Sequence, residues 1–221
     1  RKQKLYASVE TREQWAEVLK EPGIDGVYAG MSLFSEKAFS EEVLEAVEEA
    51  HKKGKECYLM LPYMLREGRM EGQEEEIRKI AKKADGFLVR NLEELGYLKD
   101  LGLIRKAVGD SFNDESQSFL MEQGVQRTTV PLELNGKELR RKDCRDSEMI
   151  IYGYYPMMVS AQCVKKTCGT CDHQSRTIQL KDRYGSSFAV KSDCRFCYSV
   201  IYNSVPTGLL EELEQIQALN V

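Results

Sequence analysis

The sequence predicts an α/β protein: a TIM-like (β/α) barrel, incomplete, with a Cys-rich metal-binding hairpin module near the C-terminus. Three observations predict it. Strand-like runs recur roughly every 20 to 30 residues, with helical patterns between them. That rhythm stops near Tyr155. Beyond it, five of the seven cysteines crowd into residues 163–197, around one hairpin signal.

The elements follow in order. "KLYASVE" alternates apolar and polar residues as a strand does, and "TREQWAEVL" follows with Thr11 and Gln14 spaced as a capping box. "GVYAG" is the second strand. Ser40 is the expected cap of a helix that places Val43, Leu44, Val47 and Ala50 on one face. "ECYLMLP" is the third strand, and Ile77, Ile80, Ala81 and Ala84 mark the next helix. "GFLVR" is the fourth strand, followed by a helix that Asn91 and Glu94 cap. "IRKAVGD" leads to a helix opened by Asn113; "RTTVPLEL" leads to a short one capped by Asn135 with Glu138; "EMIIYGY" is the seventh strand. Seven such units favour a barrel over a doubly wound open sheet. Residues 1–155 are thus read as barrel units and 156–205 as a Cys-rich metal module. Residues 206–221 are read as an amphipathic helix of the barrel, with Leu209, Leu210, Leu213, Ile216 and Leu219 on one face. An eighth strand is expected where the chain stops, and its first residue is Arg, so it reads as a piece of something longer.

Composition narrows the function. The chain has 221 residues, 42% hydrophobic and 31% charged, as suits a globular protein with a real core. Its net charge of −4 offers no global attraction to nucleic acid, though local basic patches stay open. No apolar run would span a membrane and no secretion signal is visible, so a cytoplasmic place is expected. In a reducing compartment, clustered cysteines read as metal ligands rather than disulfides.

The spacing is Cys163-x4-Cys168-x2-Cys171-x22-Cys194-x2-Cys197. Two Cys-x-x-Cys pairs flanking a hairpin resemble a zinc-ribbon arrangement, in which each pair offers two thiolates to one ion. Thiolate coordination suits zinc or an iron–sulfur cluster. Five thiols exceed the four that a closed site needs, and spacing favours Cys168 with Cys171, Cys194 and Cys197. His173 could also ligate, but an exposed loop histidine is the favoured reading. Cys57 lies in a strand and reads as core; Cys144 also lies outside the cluster.

In a barrel, function gathers where strands end and loops begin. That points to Tyr63, Arg90, Asn91, Asp110, Glu133, Asn135, Tyr154 and Tyr155, with Asp110, Glu133 and Arg90 as the catalytic candidates. The alternative roles are plain ones: Asn91 and Asn135 cap helices, Asp110 fixes a turn, Arg90 pairs with a carboxylate. Protease chemistry has little support. The two histidines are His51 and His173, and neither an H-E-x-x-H nor a G-x-S-x-G motif occurs.

"VPLELNGKEL", "EMIIYGYYPMMVSAQC" and "DCRFCYSVIYNSVP" together resemble the peptidase U-thirty-two family, the so-called collagenase-like proteases. The resemblance is clearest from about residue 85 onward. The opening looks like the second, C-terminal barrel segment of the family's long members. The resemblance implies a TIM-like barrel and a four-cysteine iron–sulfur cluster (4Fe-4S). It also implies a role in RNA modification, hydroxylation of transfer or ribosomal RNA, or else in the ubiquinone pathway. Partners would be an RNA substrate, reached through the full-length protein, and the remaining domains of the same chain. Glu148 and Gly153 match the start of the family signature, "YYP" replaces its first cysteine, and Cys163 matches its second. A downstream ligand matches Cys168 or Cys171, and a last one Cys194 or Cys197. The added Cys-x-x-Cys pairs keep zinc beside the cluster as an expectation. The family name implies a peptidase as the alternative activity, and a metal-stapled scaffold half without its own activity is a third reading.

Overall fold

The computed structural model describes residues 3–65, 70–219 and 221. Seven parallel strands run in chain order through one sheet: β1 (Tyr6–Val9), β2 (Gly26–Gly30), β3 (Glu56–Met60), β4 (Gly86–Val89), β5 (Ala107–Asp110), β6 (Arg127–Thr129) and β7 (Ser147–Glu148). Between them lie α1 (Arg12–Val18), α2 (Phe39–Lys52), α3 (Glu74–Ala81), α4 (Leu92–Asp100), α5 (Asp114–Gln123) and α6 (Gly136–Leu139).

The caps read from the sequence are present at four of these helices. Thr11 with Gln14 and Asn135 with Glu138 close capping boxes, Asn91 accepts the Glu94 N–H, and Asn113 accepts the Ser116 N–H. Helix α2 differs: it begins at Phe39 with Ala38 as its cap, and Ser40 is buried inside it. Phe39 packs edge-on against Phe34 at 6.1 Å, and Ser35 Oγ accepts the Ala38 N–H at 3.3 Å. Aromatic burial one residue earlier thus sets the helix start.

Strand alternation divides the sheet into two faces. Val9, Val27, Ala29, Cys57, Leu59, Phe87, Val89 and Ala107 pack with helix residues such as Trp15, Val47, Ile77, Ile80 and Leu98 in the main core. Tyr28, Tyr58, Met60 and Val108 form a separate cluster on the other face, joined by Tyr6 and Leu88. Five strand steps separate β2 from β7, about 24 Å if the sheet were flat. Yet the Tyr28 hydroxyl donates to Glu148 Oε2 at 2.6 Å. The sheet is therefore strongly curled, and the tyrosine face is the inside of an incomplete α/β barrel. Gly26 and Gly86 make room there: each stands beside a tyrosine of the neighbouring strand, and a Cβ at Gly26 would meet the Tyr6 ring at 2.4 Å.

"EMIIYGY" breaks in two. After β7 the chain leaves the barrel, and β8 (Tyr152–Gly153) pairs with β13 (Thr207–Gly208). A second, antiparallel sheet combines β9 (Pro156–Ser160), β10 (Arg176–Lys181), β11 (Ser187–Asp193) and β12 (Tyr198–Tyr202) in the order β10-β11-β12-β9. The expected hairpin is β10–β11, turning through residues 182–186. The short helix α7 (Val164–Thr167) carries Cys163 at its start. The C-terminal helix is shorter than the leucine spacing suggests: a 3-10 turn at Leu210–Glu212 precedes α8 (Leu213–Gln217), Ile216 alone is buried within it, and Leu210 and Leu213 are exposed. No helix among the described residues is long and apolar enough to cross a membrane.

Candidate functional site

Gly30 ends β2, Glu10, Leu61 and Arg90 directly follow β1, β3 and β4, and the antiparallel sheet sits on these ends. One face of that sheet, carrying Lys191, Tyr198, Val200 and Tyr202, points into the barrel mouth. Lys191 Nζ reaches Glu10 Oε2 at 2.7 Å and Ser32 Oγ at 2.9 Å, and the Tyr202 hydroxyl donates to the same Glu10 oxygen at 3.3 Å. The Tyr63 N–H donates to the Tyr198 hydroxyl at 3.3 Å. The cavity left beneath is ≈ 20 Å³, space for about one water. The sheet is a stopper over this side of the mouth.

At the end of β5 and beyond β6, Asp110 and Glu133 are exposed to solvent. Arg90 lies with its guanidinium 3.8 Å from the Tyr63 ring centroid and donates to the Leu61 carbonyl at 2.8 Å. Asp110 ends β5, walled by the barrel yet reached by solvent. Enclosure pushes its carboxyl above the usual range; Arg90 and the Thr129 hydroxyl pull it down, while Glu148 and Glu133 push it up. Asp110 therefore feels the charges of both other catalytic candidates, Arg90 and Glu133. Asn91 caps α4 and also donates to the Tyr63 carbonyl at 3.2 Å, whereas Asn135 serves as the α6 cap. Tyr154 is exposed, and the Tyr155 backbone pairs with Asn203 away from these groups.

Below the mouth, the barrel interior is polar where apolar layers are usual. Arg127 donates to Glu148 Oε2 at 2.9 Å, to the Tyr58 hydroxyl at 3.0 Å and to the Tyr28 hydroxyl at 2.7 Å. Burial pushes the Tyr28 hydroxyl up, and the Glu148 charge adds to it. Glu148 is thus held by Arg127 and Tyr28 through Oε2, while Oε1 accepts from Thr129 at 3.3 Å. The sequence reading missed Glu10, Lys191 and the Arg127 network. The signal available for Glu10 was its place directly after the first strand.

The other face of the antiparallel sheet meets the cysteine loop. Ser192 and Ser199, paired across β11 and β12, point to Cys163. Burial pushes the Cys163 thiol up, but the N–H groups of Lys166 and Lys165 and the hydroxyls of Ser192 and Ser199 outweigh it and draw the thiol below its ordinary value. Cys194 lies in the β11–β12 turn, its N–H donating to Ser175 Oγ at 3.0 Å. Burial raises its thiol, Lys165 lowers it, and the charges of Cys163 and Cys171 raise it again. Cys163, Cys171 and Cys194 therefore share one neighbourhood. Cys168 and Cys171 are exposed, and Cys194 and Cys197 are half-buried. Cys194 and Cys197 also line a cavity of ≈ 380 Å³ with His173, Glu36 and Arg195. Among the described residues no three His, Cys, Asp or Glu side chains are gathered tightly enough to hold a metal ion. Cys57 and Cys144 are buried apart from the loop, Cys57 in the main core as expected.

A curled parallel sheet whose C-terminal mouth carries a cysteine-bearing antiparallel cap defines an α/β-barrel protein of capped form. The chain belongs to peptidase family U32, whose model matches residues 12–213. Among solved structures it is similar to the 3-dehydroquinate dehydratase from Aquifex aeolicus VF5, at 18% identity and TM-score 0.45 over 66% of this chain and 80% of that one. It is also similar to the thiamine phosphate pyrophosphorylase from Pyrococcus furiosus, at 12% identity and TM-score 0.43 over 62% of this chain and 68% of that one. No curated protein matches it.

Proposed function

We propose that this chain is the C-terminal, metal-binding part of a family U32 protein that acts in RNA modification, the hydroxylation of ribosomal or transfer RNA. The observation that carries the metal assignment is the shared neighbourhood of Cys163, Cys171 and Cys194. The donor chemistry suits a soft metal, a thiol already drawn toward its thiolate by two backbone N–H groups and two hydroxyls, and the thiols would draw closer than they stand here on binding it. Cys163, Cys171 and Cys194 would hold the group, with Cys168 or Cys197 as the fourth ligand. An iron–sulfur cluster would supply one-electron chemistry there; zinc would supply a structural tie. Ser192 and Ser199 orient the Cys163 sulfur, and the cap excludes water from the β1–β4 side of the mouth. The exposed Asp110 and Glu133, with Arg90, are where an RNA base would meet proton-transfer groups.

Anaerobic purification with metal analysis and an absorbance spectrum tests the assignment. A broad band near ~400 nm with iron supports the cluster, and a colourless protein with one zinc supports the tie. A Cys194→Ser/Cys197→Ser variant that keeps both its metal and its melting temperature would overturn the ligand set. A cysteine peptidase is the second reading, because His173 lines the same cavity as Cys194 and Cys197. Burial pushes the Cys194 thiol up, which weighs against it as a nucleophile. Gelatin cleavage by the full-length protein, lost on His173→Ala, would favour that reading instead.

A further inference from the structure

Charge is segregated along this chain. Residues 156–205 hold seven lysines and arginines against three aspartates and no glutamate, a net of +4; the remaining residues hold −8, giving the total of −4. A protein acidic overall thus carries a basic cap with its cysteine loop.

Within that element the positive charge is presented outward at the β10–β11 hairpin. β10 is the outer edge of its sheet, and all its residues but Ile178 are exposed. The tip is well defined: Asp182 Oδ1 accepts the N–H groups of Tyr184 at 2.8 Å and Ser186 at 2.9 Å, and Gly185 takes φ +89°. The one acidic side chain of the tip is occupied in this way. Arg183 then lies 4.7 Å from the Tyr184 ring centroid, and Tyr184 is 77% exposed. Lys166, Lys181 and Arg183 have no carboxylate partner among the described residues, whereas Asp172 is already shared by Lys165 and Arg176.

We propose that the β10–β11 hairpin is a finger that grips single-stranded RNA, with Lys181 and Arg183 on the phosphates and Tyr184 stacked on an unpaired base. Unpaired exposed cations beside an exposed ring are what a flexible polyanion with planar bases requires. Residues 182–186 of the tip include no aliphatic side chain to enter a bilayer. The inference rests on the RNA reading given above and adds the surface that makes the contact.

The test is anisotropy of a labelled oligouridylate, about 15 nucleotides long, with the full-length protein at several salt concentrations. Removing two phosphate contacts in Lys181→Ala/Arg183→Ala lowers the steepness of the log–log salt dependence by about 1.4. Tyr184→Ala weakens oligouridylate binding by about 10-fold and leaves inorganic polyphosphate binding unchanged. Unaltered melting temperatures confirm that the exposed substitutions leave the fold intact. Salt dependence unchanged in the double variant overturns the finger, as does hairpin-dependent binding to phosphatidylserine vesicles without binding to the oligouridylate. The two readings fail separately. Binding through the hairpin, with no change in cellular RNA hydroxylation when the protein is removed, refutes the modification reading and leaves the finger standing. Hydroxylation that depends on the protein but survives both variants refutes the finger alone.

Discussion

Glu94 offers the sharpest energetic test of the fold. It sits in the first turn of α4 with none of its surface exposed. Its Oε2 accepts the Arg90 N–H at 2.7 Å, while Oε1 has no hydrogen-bond partner. Burial pushes its carboxyl up to about 7; the Arg90 N–H, the Arg90 charge and Asn91 pull it down, and Asp110 adds to the rise. From an ordinary value of 4.5, that difference is worth roughly 3 kcal/mol. The sign follows from proton counting. Below the ordinary value both folded and unfolded chains hold the proton, and Glu94 costs nothing extra. As pH rises toward about 7 the unfolded chain releases the proton while the folded chain keeps it, so stability falls. Above that the full penalty of a buried, half-partnered carboxylate applies. Glu94→Gln keeps the shape and the acceptor for Arg90 but never ionises. Urea unfolding of both proteins between about pH 5 and about pH 8 should show the glutamine variant gaining on the parent as pH rises, by up to about 3 kcal/mol. A constant offset from its unpartnered amide is expected and does not affect the slope. Parallel curves would show that Glu94 does not titrate as a buried carboxyl, and the reasoning would fail.

Two further outcomes follow from the barrel and its stopper. Gly86→Ala would place a Cβ 2.4 Å from the Lys106 carbonyl oxygen and 2.9 Å from the Tyr58 ring, and the backbone side cannot yield; a loss of about 3 kcal/mol in urea unfolding is expected, and a neutral result would contradict the inner-face packing. Lys191→Met removes the ties to Glu10 and Ser32, costing about 1 kcal/mol for a pair largely shielded from water. Hydrogen exchange should then quicken in β11 and β12 before it does in β2–β4, and unchanged exchange in the cap would refute the stopper.

Much of the barrel is legible in the sequence because its signals are local. Thr11 with Gln14, Asn91 with Glu94 and Asn135 with Glu138 each lie within one turn, and the strand runs between them are short and apolar. The cap is not local. β9 pairs with β12 about 40 residues away, so "PMMVS" and "YSVIY" gave no sign of each other. The leucines of residues 209–219 have helical spacing, but Thr207 and Gly208 are taken up by pairing with β8, and Leu209 donates to the Ile151 carbonyl. Of the candidate site, Arg90 and Asp110 were readable as strand ends. Glu148 could be read only as a motif residue, because its partners Arg127 and Tyr28 lie on other strands of a curled sheet.

Lys191 and Ser192 are consecutive residues of β11. The first points down to the Glu10 carboxylate and the second points up to the Cys163 sulfur. Two regions of chemistry are thereby held a single strand's thickness apart, with no loop between them to absorb error. A displacement of β11 by one ångström moves both ends together, so the register of this one strand calibrates the cysteine loop against the barrel beneath it.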